Sequence, residues 1–176
     1  MIDRNPDAAP SQADADQFAS EMSQPLFEGG PLVMDVDDAE ALYLQCVQLE
    51  VDMNRSDSVY CRSIIALSTV YLHKHQFEKA IPFLLEALRV LKWWLPPCHE
   101  HVGAMHYLLA STYQFDEQYD LAIEQWINVM HCFSWLPDWA PVLREAAEGL
   151  VYCRSVQRGM PLAENFCEFF PRRDAA

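Results

Sequence analysis

The sequence predicts an all-α fold built as a repeat array, and three observations predict it. The stretch Ile64-x-x-Leu67-Ser68-x-x-Tyr71, followed by Ala80-x-x-x-Leu84-x-x-Ala87, recurs as His106-x-x-Leu109-Ala110-x-x-Tyr113 and Ala122-x-x-x-Trp126-x-x-Val129. It recurs again, weakened, as Ala147-x-x-Leu150-Val151-x-x-Arg154 and Ala163-x-x-x-Cys167-x-x-Phe170. The period is about 42 residues, and self-similarity of that length marks stacked supersecondary units. Within each half the apolar spacing is helical, and no segment alternates as a strand would.

Residues 1–36 are rich in Asp, Ala, Ser, Gln, Pro and Gly, and their acids outnumber the single cation Arg4. Phe18, Met22, Leu26 and Phe27 are scattered anchors, a composition that cannot build its own core. This span reads as a flexible acidic arm, with Pro25-Leu26-Phe27 and Pro31-Leu32-Val33-Met34 available to dock on the repeat body or on a neighbouring molecule. From Asp37 the pattern turns helical: Asp37 and Asp38 favour a helix N-terminus, and Ala41, Leu42, Leu44, Cys46, Val47 and Leu49 give an apolar face. Ala39 precedes Ala80 by one such period, which makes this helix the second half of a degenerate leading repeat.

Helix pairs then follow at 58–74 with 77–94, at 99–115 with 118–135, and at 138–157 with 160–170, so the repeat domain spans 37–171 and leaves a short tail at 172–176. The turns inside the pairs are polar: His73-Lys74-His75-Gln76, Asp116-Glu117-Gln118, and Arg158-Gly159-Met160-Pro161. In the last, Gly159 is placed to cap one helix before Pro161 opens the next. Between pairs, Trp94-Leu95-Pro96-Pro97 and Trp135-Leu136-Pro137-Asp138 repeat one period apart, and proline turns the preceding residue away from helix.

Each pair would fill the space between antiparallel helices with large apolar residues. Ser68, Ala80, Ala87, Ala110 and Ala122 are small enough to let the backbones approach. These residues resemble the tetratricopeptide repeat, which carries Leu-Gly-x-x-Tyr on its first helix and Ala-x-x-x-Phe on its second. The period is longer than the usual repeat of about 34 residues, which looks like the kinesin-light-chain subtype, and Arg154 stands where the third repeat should have tyrosine.

The resemblance implies a right-handed α-α superhelix of about three helix pairs plus a leading helix, with the first helices lining a concave groove that takes an extended or helical peptide. The residues offset from the packing set on those helices are Arg62, Ile65, Thr69 and Leu72, then Ala104, Tyr107, Ser111 and Gln114, then Glu145, Glu148 and Tyr152. Arg62, Ile65, Thr69, Leu72, Tyr107, Ser111, Gln114 and Tyr152 are the candidate partner contacts. Packing of some of them against the N-terminal arm is the alternative. Tyr107, lying off the packing set, is expected to contribute to binding without contributing to stability.

The formal charge of −14 and a pI near 4.6 argue against nucleic acid and anionic membrane surfaces. The 51% hydrophobic content supports a packed protein. The six cysteines fall on apolar helical stretches without close pairing, which reads as buried thiols in a reducing, cytoplasmic compartment. The N-terminus lacks the apolar run of a signal peptide, and no stretch is long enough to span a bilayer.

Cys98-His99-x-His101 with His106, His73-x-His75 and His131-Cys132 are the metal candidates, but their spacing does not match paired structural-zinc ligands, so no metal or other cofactor is expected. No Gly-x-Ser-x-Gly elbow or phosphate loop occurs, which argues against an enzyme. Most of Trp93, Trp94, Trp126, Trp135 and Trp139 are expected in packing. Trp93 and Trp94 point about 100° apart on a helix, so one of them is free for a partner. The expected function is therefore a protein-interaction module, with a homodimer through the arm or exposed tryptophans as one form of partnership. A small acidic protein with such repeats and an acidic head around Asp37-Asp38-Ala39-Glu40 also looks like the helical-repeat chaperones of bacterial type III secretion. A scaffold subunit of a larger complex and a regulatory sensor domain are the rival readings.

Overall fold

The computed structural model describes residues 10–24, 35–52, 58–135 and 140–159. Among them are seven helices and no strand: α1 Gln12–Met22, α2 Val36–Asp52, α3 Ser58–His73, α4 Phe77–Trp94, α5 Glu100–Phe115, α6 Tyr119–Phe133 and α7 Ala140–Arg158. The chain divides into two compact units, residues 1–97 and 98–176.

In the first unit, α3 and α4 form the helix pair that the repeat predicts. Ile64, Leu67, Ser68, Ala80, Leu84 and Ala87 are all fully buried, and Tyr71 nearly so. The small residues bring the two backbones close enough for the Cys61 thiol to reach Ala87 O at 3.8 Å. α4 ends where the sequence requires: Leu95, which precedes Pro96, is extended at φ −121°, ψ 150°. α2 packs against α3. Its acidic first turn is gripped by Lys74, whose ammonium bonds both Asp37 and Glu40. That pairing holds the Glu40 carboxyl below its ordinary value, with burial opposing, and the Lys74 ammonium above its own.

The arm reading needs correction at residues 12–22, which are helical and packed as α1. Ser11 caps this helix, its hydroxyl accepting from Asp14 N while the Asp14 carboxylate accepts from Ser11 N, a reciprocal box. Ala15 and Phe18 are buried, and the Phe18 ring stacks on Trp94 with centroids 5.1 Å apart and planes 6° apart. Composition alone misses this because a single aromatic anchor suffices when the platform comes from another helix. Segments Pro25–Phe27 and Pro31–Met34, the second helix at 160–170 and the tail at 172–176 lie outside the described residues.

In the second unit, α5 and α6 repeat the α3–α4 pair. Leu109, Ala110, Ala122 and Val129 are fully buried, with His106, Tyr113 and Trp126 close behind. His106 is a polar group in an apolar register, and its Nδ1 meets Gln125 Oε1 at 2.7 Å. Two glycines permit the closest approaches. A Cβ on Gly103 would stand 2.6 Å from the Phe133 ring, and one on Gly149 of α7 would stand 2.5 Å from Trp126. On α7, Leu150 and Val151 are buried, while Arg154 in the tyrosine register is half-buried.

The repeat is also written in the backbone. His75 (φ 56°), Glu117 (φ 60°) and Gly159 (φ 61°) are left-handed, each one repeat period from the next. The first two close Schellman turns: Gln76 N bonds Tyr71 O and Gln118 N bonds Tyr113 O, both at 2.9 Å, with His75 N to Leu72 O and Glu117 N to Gln114 O as the inner bonds. Gly159 takes the capping position that its sequence context predicts, its N–H bonding Val156 O at 3.1 Å.

Candidate functional site

The offset residues fall into matching stripes, because Arg62, Ile65, Thr69 and Leu72 on α3 stand one repeat period before Ala104, Tyr107, Ser111 and Gln114 on α5. On α3, Thr69 is exposed with its hydroxyl donating to Ile65 O at 3.0 Å, and Ile65 and Leu72 are half-buried. Arg62 is differently placed. Its Nε donates to Ser58 O at 3.3 Å and its Nη1 to Gln24 O at 3.0 Å, so the guanidinium is engaged by the backbone just past the end of α1. For Arg62 the alternative of packing against the N-terminal segment is the one realised.

On α5, the Tyr107 ring stands edge-on to Trp126, with centroids 5.3 Å apart and planes 83° apart. The Glu145 carboxylate of α7 acts on its hydroxyl. Burial first, and then that carboxylate, push the phenol up to about 12. The expectation that Tyr107 lies off the packing set is therefore corrected, since its ring is part of the wall over Trp126. The aromatic at position 126, larger than the usual phenylalanine, extends the core far enough outward to meet it.

Ser111 donates to Tyr107 O at 3.0 Å. Gln114 Oε1 accepts from Trp126 Nε1 at 3.1 Å and from the Cys153 thiol at 3.5 Å, so this side chain ties together α5, α6 and α7. Burial raises the Cys153 thiol to about 11. Tyr152 meets Tyr119 edge-on at 6.3 Å, and Arg144 pairs with Glu148 at 3.2 Å. The structure thus brings Tyr107, Ser111 and Gln114 together with Glu145 of α7, in a mixture of aromatic edge, hydroxyl and carboxylate. Such groups recognise by hydrogen bonding and contact.

The histidines have local work. His99 caps α5 by accepting from His101 N at 3.2 Å, and burial lowers its basicity, with His101 adding to the effect. Among the described residues no group of three or more His, Cys, Asp or Glu could hold a metal ion, and no helix is long and apolar enough to cross a membrane. The tryptophans separate: Trp94 lies under Phe18, whereas Trp93 and Trp135 are 46% and 64% exposed.

No family model and no curated protein matches the chain. Among solved structures, it is similar to the nearly identical TPR-like repeats of a Podosopora anserina protein assigned as a kinesin light chain. The TM-score is 0.61 at 21% identity over 80% of this chain and 71% of that one. The Q17M form of the same repeats gives a TM-score of 0.62 at 20% identity, over 80% and 69%. At that identity the likeness establishes the fold, a TPR-like array of helix pairs.

Proposed function

We propose that the chain is a non-enzymatic protein-interaction module that binds a peptide or helix of a partner on the exposed faces of its first helices, as a chaperone or adaptor does. The observation that carries this is the Tyr107–Glu145 cluster. It sets the ring edge and hydroxyl of Tyr107 on α5, braced by Trp126, beside the carboxylate of Glu145 on α7. Aromatic groups fixed in this way contact a partner at low cost in conformational entropy. None of the five described cysteines is joined in a disulfide, which fits a reducing, cytoplasmic setting. A second reading, a scaffold subunit, is favoured by the exposure of Trp93 and Trp135, a type of residue enriched in interfaces.

The test is capture from a host lysate by the full chain and by three variants. Glu145→Lys reverses a charge in the cluster, Tyr107→Phe keeps the ring against Trp126 and removes the hydroxyl, and Glu117→Gln is a control in a turn. A polypeptide captured by the parent and by Glu117→Gln, but at least about tenfold less by Glu145→Lys, about 1.4 kcal/mol, supports the reading. Retention by all three variants would move recognition to the tryptophan-bearing helix ends and favour the scaffold.

A further inference from the structure

α1 is held by a small set of complementary contacts. Phe18 lays its ring flat on Trp94 at the end of α4, and Ala15 is buried one turn earlier. At the other end the buried Ser58 donates its hydroxyl to Glu21 at 2.5 Å, and Arg62 donates to Gln24 O at 3.0 Å. The first unit therefore offers an indole platform, a hydroxyl and a guanidinium. The segment that answers them supplies an aromatic, a carboxylate three residues later and the carbonyl of Gln24, two residues past the end of α1. Elsewhere α1 bonds to itself, through its capping box and through Gln12–Asp16 and Gln17–Glu21 pairs on its exposed side.

At 11 residues, α1 is shorter than the roughly 12–15 residues at which isolated helices become marginally stable in water. Its folding and its docking are thus one event, and the cost of ordering the segment is set against the burial of essentially one ring. Such a contact is exchangeable. We propose that the first unit carries a docking site for an acidic amphipathic helix with a single aromatic anchor, that α1 occupies this site within its own chain, and that a partner helix of the same chemistry displaces it. In a chain of net charge −14, Arg62 and Ser58 supply the polar complement that an acidic helix needs at its C-terminal end.

The test uses a dye-labelled peptide of residues 10–24, followed by fluorescence anisotropy, on the full-length chain and on its Phe18→Ala variant. The variant, whose own α1 lacks the anchor, is expected to bind the peptide at least tenfold more tightly than the parent chain does. A peptide carrying Phe18→Ala should not bind, and Arg62→Gln added to the variant chain should weaken binding severalfold. A designed peptide that keeps only Ser11, Asp14, Phe18 and Glu21 on an Ala/Gln background should compete, whereas a scrambled one should not. Equal binding to both chains, or binding indifferent to Phe18 in the peptide, overturns the proposal. A designed peptide that fails to compete overturns the assignment of partner chemistry. Loss of helical signal from the Phe18→Ala chain beyond that of α1 would make α1 part of the core, and the displaceable contact falls with it.

Discussion

Gly149 of α7 lies against the indole of Trp126 so closely that a Cβ there would stand 2.5 Å from Cε2 and 2.7 Å from Nε1. Glycine in mid-helix costs about 1 kcal/mol relative to alanine, so its presence here reflects the space the indole takes. Gly149→Ala is expected to destabilise the protein by about 1–3 kcal/mol despite the better helix propensity, because the well-packed ring has to move. The checks are urea unfolding and a double-mutant cycle with Trp126→Leu. In that background Gly149→Ala should become nearly neutral or stabilising. A stabilising single mutant would show that α7 packs elsewhere.

Glu117 carries a side chain through a left-handed turn that the third repeat assigns to Gly159. The left-handed conformation costs a residue with a Cβ about 1–2 kcal/mol, part of which glycine returns through its greater freedom in the unfolded chain. Glu117→Gly is therefore expected to stabilise by about 0.5–1 kcal/mol, raising Tm by about 1–4 °C. Gly159→Ala should destabilise by a similar amount. Differential scanning calorimetry decides both, and a lower Tm for Glu117→Gly would mean that the carboxylate supports the turn in another way.

Ala122 is fully buried between α5 and α6, in the register that holds Ala80 one repeat earlier. Ala122→Leu would force a side chain into the contact and is expected to cost about 1–3 kcal/mol. An unchanged melting temperature would contradict the pairing of these two helices.

The repeat could be read from the sequence because packing is a local, periodic constraint. Ile64, Leu67, Ala80, Leu84, Leu109 and Ala122 are fully buried, and each stands at a position the recurrence singles out. The partners of the polar residues were not legible in the same way. Arg62 meets Gln24 across 38 residues, and Gln114 meets Cys153 across 39. Neither contact leaves a periodic trace. α1 was hidden for a related reason: Phe18 has meaning only once Trp94 is placed beneath it. Adjacency did predict that Trp93 and Trp94 face apart, but not which of them would be covered.

Cys61 gives the fold a specific sensitivity to alkali. Its side chain is fully buried beside Ala87 O, and burial first, then the Glu86 charge, push the thiol from its ordinary 9.0 up to about 12, with Arg62 opposing. The native state thus keeps a proton that the unfolded chain releases above pH 9.0. The sign follows from proton counts. Below pH 9.0 both states hold the proton and the stability is complete; as pH rises toward about 12 the unfolded state is increasingly favoured. At about 1.4 kcal/mol per pH unit, the loss attributable to Cys61 reaches about 4 kcal/mol by the top of that window. Tyr107 and Cys153, held at about 12 and about 11, add to the loss over the same range. Urea midpoints measured from pH 8 to 11 should fall continuously once pH 9.0 is passed, and Cys61→Ala, though less stable at pH 8 for want of the sulfur, should fall less steeply. Equal slopes for the two chains would show that the thiol at position 61 is not held neutral by burial.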